Sequence, residues 1–226
     1  MIHPITELEF TLNDYFRKKG FEIKRCPEVG SLNDNFDMLN VHPWFPARTY
    51  SDIWFLNKEK ILKKHNTGQI YNYLNSETPP IKIAFIGRTY RNIKVSCCSD
   101  SITFQYDGLI VDKSISLDSG RQLIEEIVIN VLGIMNIRTV VKFFPYADPG
   151  FVLQAECPIC FGKGCQHCDG KGYLNLCAYG ILHQNLLPLI TLKESENFLG
   201  FTFCFNISKI ALIKYKMHDV HDLFFL

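Results

Sequence analysis

The sequence predicts an α+β fold in which helices pack on an antiparallel sheet, and three observations carry that expectation. Apolar residues recur at helical spacing in only two or three segments, strand-like apolar runs outnumber them, and the two kinds do not alternate in strict βαβ order. The 226 residues allow one full domain plus an appendage, since domains run to roughly 100–200 residues. Hydrophobic residues make up 47% and charged residues 21%, a globular composition that excludes a disordered or collagen-like chain.

Each element follows from local signals. Thr6-x-x-Glu9 has the form of a capping box, and Leu8, Leu12, Tyr15 and Phe16 keep helical spacing up to Gly20, a natural residue for the position after a helix. A short strand is expected around Phe21 to Ile23. Residues 26–60, rich in Pro, Asn and Asp, read as an irregular connection, and 75–80 (NSETPP) as turn chemistry. Strands are expected at Ile81 to Ile86 and at Leu109 to Val111. Ser119-x-x-Gln122 has the form of a second capping box, followed by Ile124, Ile127, Val128 and Val131 on one face and Gly133 at the end. A buried strand is expected from Val140 to Phe144. Phe201, Phe203 and Phe205 alternate as a half-buried strand, and a helix from about Ile207 to Tyr215 follows.

Charge and targeting signals narrow the function classes. Lys plus Arg number 24 and Asp plus Glu 23, so the net charge of +1 draws neither nucleic acid nor an anionic membrane from a distance. The basic stretches Arg17 to Lys19 and Lys58 to Lys64 read first as solvated helix faces and second as an RNA patch. No segment reaches the roughly 18 apolar residues of a membrane span. The start, MIHPITELEF, lacks the basic end and apolar run of a signal peptide. A cytoplasmic, reducing location is therefore expected, which favours thiols or metal over disulfides.

Four of the nine cysteines fall in one short stretch, in which the unit CxxCxGxG is written twice: Cys157-Pro-Ile-Cys160-Phe-Gly-Lys-Gly164-Cys165-Gln-His-Cys168-Asp-Gly-Lys-Gly172. Each CxxC can wrap two thiolates onto one metal, and the glycines permit positive-φ turns that bring backbone amides to the sulfurs. Four thiolates form the closed ligand set of a structural Zn2+ site, so Cys157, Cys160, Cys165 and Cys168 are the expected ligands. A closed set leaves no open coordination position, so the metal should hold a loop and do no chemistry. Four reduced, unmetallated thiols are the alternative. His167 reads as a solvated loop residue, and Cys26, Cys97, Cys98, Cys177 and Cys204 as buried or incidental, with Cys97-Cys98 open to a reactive role.

The order of further segments resembles the catalytic core of phenylalanyl-tRNA synthetase α subunits, which are class II aminoacyl-tRNA synthetases. His3-Pro4-Ile5-Thr6 looks like the family's HPLT helix start, and Gly20-Phe21-Glu22 with Pro27-Glu28 looks like motif 1, a subunit-interface element. Asn35-Phe36-Asp37-x-Leu39-Asn40, then Pro46-Ala47-Arg48 and Asp52, follow NFDALN and HPARD-x-x-D. Gly87-Arg88-Thr89-Tyr90-Arg91 is similar to the GRVYR of motif 2, and Gln105-Tyr106-Asp107-Gly108 to QVEG. Phe144-Pro145-Tyr146-x-Asp148-Pro149 matches FPFTEP, and Gly180-Ile-Leu-His183-x-Asn185 matches GMVHPN. The double CxxCxGxG occurs in many family members before that last segment.

The resemblance covers nearly the whole of residues 1–226 and implies one class II catalytic domain, with 157–172 as a zinc-knuckle insertion. It implies ATP- and Mg2+-dependent activation of phenylalanine and its transfer to tRNA. By the same resemblance, Arg91 and Lys209 stand where the motif 2 and motif 3 arginines contact phosphate and are the catalytic candidates. His65, Thr67 and Gln69 match the polar set HTS-x-x-Q, and Gln105 with Asp107 can receive an α-ammonium group. Phe144 and Tyr146 stand for the two phenylalanines that clasp the substrate ring, and Thr202 for the small alanine beneath it.

Departures from the family pattern cluster at phosphate-handling positions. Against GFAFGLGIER the chain reads Gly200-Phe-Thr202-Phe-Cys204-Phe-Asn206-Ile-Ser208-Lys209, which exchanges a planar guanidinium for a point charge and an acidic residue for a hydroxyl. The motif 2 loop becomes residues 96–105 (SCCSDSITFQ), with Ser99 and Thr103 at the family's histidine and phenylalanine positions and Ile93 at an acidic one. Thr202 adds volume and a hydroxyl, so the expected substrate is an amino acid smaller or more polar than phenylalanine, or none.

Three readings stand: a stand-alone paralogue that binds an amino acid or adenylate-like ligand with altered or lost ligase chemistry; a divergent active α subunit that needs a β subunit; and a non-catalytic dimerisation module. The chain starts at the helix before motif 1, where family members carry a tRNA-gripping arm, and its charge is neutral. A homodimer or a β-like subunit is the expected partner, and tRNA only through that partner.

Overall fold

A computed structural model describes residues 2–68, 70, 78–190 and 197–225. A seven-stranded sheet forms its centre, in the order β1-β4-β5-β9-β8-β7-β6. The strands are β1 (Glu22–Arg25), β4 (Ile81–Tyr90), β5 (Ile102–Asp112), β6 (Ile137–Val141), β7 (Ala147–Glu156), β8 (Tyr173–Leu182) and β9 (Leu199–Asn206). Only β1 pairs parallel, against β4; the other neighbours are antiparallel, as the sequence predicts. A small ribbon of β2 (Val29–Ser31) and β3 (Lys60–Leu62) lies in the connection between β1 and β4.

Residue alternation divides the molecule into two apolar layers. Phe201, Phe203 and Phe205 of β9 and Tyr106 of β5 all point to the face covered by helices α1 (Pro4–Lys18), α3 (Leu117–Glu126) and α5 (Ile207–Lys214). Phe16 of α1 stacks on Tyr106 at 5.1 Å and on Phe203 at 5.3 Å. Gly108 lets Phe203 lie flat on β5, because a Cβ there would meet the ring at 2.1 Å. On the opposite face, Phe36, Leu39, Ile61, Phe85 and Leu109 form a second core beneath the 26–62 connection, which holds β2, the one-turn α2 (Leu32–Asn35), short 3-10 turns and the start of β3. The candidate site opens on this second face.

Several local expectations shift. The first helix starts one turn before the expected box: His3 is its N-cap, with Nδ1 accepting from the Ile5 amide at 3.2 Å, and Pro4 takes the first helical position, where its missing N–H is harmless. The second box is Ser116 with Ser119, not Ser119 with Gln122, because the helix begins at Leu117. The strand expected to be buried at 140–144 is the exposed end of the edge strand β6 and the segment after it, with Val141 80% and Phe143 71% exposed, since among the described residues no strand pairs beyond β6. Lys58 to Lys64 is no solvated helix face: it runs into β3, and Lys63 is fully buried. Of the 75–80 turn, residues 75–77 lie outside the described residues, as does Gln69.

Candidate amino-acid and nucleotide site

Antiparallel register builds the pocket floor. On β5, Gln105 and Asp107 point away from the helices because Tyr106 and Gly108 face them, and on β9 Thr202, Cys204 and Asn206 do the same. Asp107 lies opposite Cys204 and Gln105 opposite Asn206, which sets two polar pairs side by side in the sheet. The cavity above this floor has a volume of about 510 Å³. Its lining includes His65, Thr67, Arg91, Phe144, Tyr146 and Lys209, so residues spread over 145 positions of sequence converge.

The deepest polar groups lack partners. Asp107 is 1% exposed; the Thr67 hydroxyl donates to its Oδ2 at 2.6 Å, while Oδ1 has no hydrogen-bond partner among the described residues. Burial pushes the Asp107 carboxyl above its ordinary range, moderated by the Cys204 thiol, the Thr67 hydroxyl and the Lys63 ammonium. Gln105 Oε1 is also buried and unpartnered. Gln105 lines the cavity and Asp107 is bonded to Thr67 of that lining, so two buried acceptors without a partner among the described residues lie at this end, each at a cost of about 1–3 kcal/mol. Arg91 Nε is a buried, unpartnered donor in the same cavity, so the site is bipolar.

Cations line the other end. Lys209 sits in the first turn of α5, whose N-cap Asn206 accepts from the Lys209 amide at 2.9 Å. Burial lowers the Lys209 pKa, with Lys171 and Arg91 adding to that and Cys98 and Asp169 opposing it. Lys64 faces Asp52 at 3.8 Å, and burial lowers its pKa too. His65 is held well below its ordinary pKa, first by burial and then by Arg91 and Lys64, and so stands neutral in the wall. An anionic ligand would relieve this accumulation of desolvated positive charge.

Phe144 and Tyr146, which the resemblance casts as a clasp, both line the cavity and stack on each other with ring centroids 5.2 Å apart. Burial raises the Tyr146 pKa well above its ordinary value, and Cys204 and Asp107 beside it add to the effect, so the phenol stays a neutral donor. Thr202 does not take the place expected for it. It is 1% exposed, its hydroxyl donates to the Gly108 carbonyl at 3.3 Å, and it is absent from the lining; of motif 3, Cys204, Asn206 and Lys209 line the cavity. Cys177 of β8 joins them there.

Residues 157–172 form the whole connection from β7 to β8 and gather the four expected thiols, with all four Sγ atoms within 4.8 Å of one another. Cys157 to Cys165 is 3.9 Å, Cys160 to Cys168 3.7 Å and Cys165 to Cys168 3.8 Å. Thiolates bound tetrahedrally at about 2.3 Å lie about 3.8 Å apart, so the donor set fits a zinc-type ion. Backbone amides of Gly164, Cys165 and Gly172 donate to Cys160 or Cys168 sulfur at 3.1–3.3 Å, and positive φ at Gly164 and Gly172 aims them. Burial of Cys168 acts against ionisation, but the amides of Cys165 and Gly172 prevail and lower its pKa to about 7. His167 is buried rather than solvated, its Nδ1 bonded to the His218 carbonyl at 2.8 Å.

Sequence reasoning missed Lys63, Asn66 and His221. Lys63 Nζ donates to the Cys26 carbonyl at 3.2 Å behind the polar floor, and Asn66 reaches the Gln105 carbonyl at 3.5 Å. No spacing rule marks these residues, because what recruits them is long-range packing.

Comparison with known proteins agrees with this geometry. Residues 1–225 match the family described as tRNA synthetases class II core domain (F). The phenylalanine–tRNA ligase alpha subunit of Caldicellulosiruptor saccharolyticus is 30% identical over 234 residues, covering 100% of this chain and 68% of the relative. Those of Leptospira biflexa and Legionella pneumophila are 29% and 28% identical, and the chain spans 64% and 66% of their length. Pyrrolysyl-tRNA synthetase from Desulfitobacterium hafniense shares the fold, with a TM-score of 0.68 at 16% identity, covering 97% of this chain and 72% of that one. A pocket built on motif 2 and motif 3 strands, in a chain matched from end to end, makes this protein a member of the class II tRNA synthetase core-domain family, similar in sequence to phenylalanine–tRNA ligase α subunits.

Proposed function

We propose that this chain binds an α-amino acid and ATP in one pocket and acts as the amino-acid-activating subunit of an aminoacyl-tRNA ligase, with a β-like partner supplying the contacts to tRNA. The observation that carries this reading is the bipolar cavity: an unpartnered acceptor on Gln105, with Asp107 buried beneath it and bonded to the lining residue Thr67, at one end, and unpartnered Arg91 Nε and the Lys209 ammonium at the other. The acceptors hold the α-ammonium group, Thr67 keeps Asp107 oriented, and Phe144 with Tyr146 flanks the side chain. The substrate carboxylate then faces the cationic end, where its oxygen attacks the α-phosphate of ATP and pyrophosphate leaves. Arg91 and Lys209 hold the charge that builds on the phosphoryl oxygens, and being desolvated in advance they need little reorganisation.

Mg2+, when bound with ATP, neutralises phosphate charge. It fits here chiefly as a companion of the nucleotide: the cavity lining offers one carboxylate among the described residues, Asp52, and the Ser208 hydroxyl is taken by the Phe104 amide at 3.0 Å. Cys204 and the Tyr146 phenol both narrow and polarise the side-chain end, which favours an amino acid smaller or more polar than phenylalanine. The four-cysteine loop holds zinc as a structural ion. Amino-acid-dependent ATP–pyrophosphate exchange, run with and without a β-like chain, tests the activity. Exchange is expected; its absence in both settings, with no amino acid or nucleotide binding by calorimetry, would sink the reading.

A second reading, a stand-alone paralogue that binds ligand without ligation, draws on the motif 3 changes. Cys204 and Asn206 bring side chains where the family has glycine, and Lys209 offers a point charge in place of a bidentate fork. Binding without exchange would favour it.

A further inference from the structure

The loop after Arg91 is fastened from two sides. At its base the Arg91 amide donates to the Ser101 carbonyl at 2.8 Å, and at its tip Ser96 and Ser99 exchange amide-to-carbonyl bonds of 2.9 and 3.0 Å. Beneath the tip, Cys98 is 2% exposed and its thiol donates to Asp169 Oδ2 at 3.3 Å. On the other flank the Val220 amide donates to the Cys97 carbonyl at 2.9 Å, and His221 Nε2 lies 3.0 Å from Asp100 Oδ2. His167 closes the circuit through its bond to the His218 carbonyl. Asp169 and His167 thus flank Cys168 and reach, respectively, the loop and the segment that braces the loop.

We propose that the four-cysteine centre is a clamp on the motif 2 loop: metal held by Cys157, Cys160, Cys165 and Cys168 fixes Asp169 and His167, which hold residues 96–100 and 218–221 and so the edge of the pocket that carries Arg91. Asp169 sits at φ 52°, a left-handed conformation open to aspartate, which turns its carboxylate towards Cys98. The four-sulfur cluster holds the backbone there, since the Cys165 and Gly172 amides on either side of Asp169 are both bonded to Cys168 sulfur. Asp169 and His167 are positioning residues, and the nucleotide arm of the test below rests on the reading proposed above.

The experiment is hydrogen exchange by mass spectrometry on the full chain, loaded with zinc or stripped by chelator, with Asp169→Ala and His167→Ala alongside. Loaded wild-type protein should carry about one zinc and protect 96–101 and 218–222; stripping should speed exchange in both segments by about tenfold or more, the scale of a lost hydrogen bond to a charged group. D169A, with its four thiols intact, should keep the metal yet speed 96–101, and H167A should speed 218–222. Equal exchange in loaded, stripped and D169A protein overturns the clamp, as does a zinc content well below one per chain. Should stripping unfold the whole chain, the metal-loaded variants decide. In the nucleotide arm D169A should weaken ATP binding several-fold; if wild type binds no ATP the proposed activity fails, while the exchange results still decide the clamp.

Discussion

Asp107 is a carboxylate that the fold buries beneath the pocket at an energetic disadvantage. Its pKa is raised by burial, so its contribution to stability is fully present below the unfolded value and is lost as pH rises through the folded one. Asp107→Asn should therefore raise the melting temperature of the ligand-free protein at pH 7 and leave it nearly unchanged in acid, which a thermal-melt series over pH checks. The same substitution should weaken binding of an α-amino acid by about tenfold or more, since a hydrogen bond to a charged group contributes about 1.5–3 kcal/mol. Wild-type affinity should fall as pH drops through the Asp107 titration, whereas the variant's affinity should not; calorimetry at several pH values reads both. At the cationic end, Lys209→Ala should weaken ATP binding by about 10–100-fold on the same scale, and Lys209→Arg should bind at least as tightly as wild type, because the fork suits phosphate.

Elements deliver these residues. Strand alternation on β5 and β9 turns Gln105 and Cys204 to the cavity and the phenylalanines to the helices, so a one-residue register slip would exchange the polar floor for aromatic rings. The start of α5 sets Lys209, and its cap is Asn206, which occupies a glycine position of the family pattern. Asn206→Ala should cost about 0.5–2 kcal/mol by loss of the cap, measurable as a lower denaturation midpoint. Asn206 thus compensates in helix stability for the volume it adds to the site.

At the scale of the whole molecule, the sheet separates an aromatic core under the helices from a second apolar core on the face where the cavity opens. Phe203 lies between α1 and β5, contacts Phe16 and covers Gly108, so Phe203→Ala should destabilise the chain by about 3–5 kcal/mol without entering the site. Chemical denaturation monitored by circular dichroism tests this. Among the described residues no helix is long and apolar enough to cross a membrane. On the proposed activity, a near-neutral chain predicts that aminoacylation, assayed with labelled amino acid, appears only when a β-like chain is added.

Sequence by itself determined the features written in short spacing: the double CxxCxGxG, the β9 alternation of Phe201, Phe203 and Phe205, the GRTYR segment and the class of the fold. Each is a local code, because ligand spacing, strand pleat and motif order are legible within about ten residues. Helix starts were less legible: at both 3–6 and 116–119 the polar pattern near the start allowed more than one cap, and the cap residue is chosen by where the helix docks. The structure alone decided that Cys204 and not Thr202 enters the cavity, that Lys63 is buried behind Asp107, and that His167 and Asp169 reach across to the motif 2 loop. Those facts depend on strand register and on contacts 50 to 100 residues apart, which propensity and spacing do not encode; only closure of the sheet, with its cost in chain entropy offset by burial of both faces, brings such residues into one site.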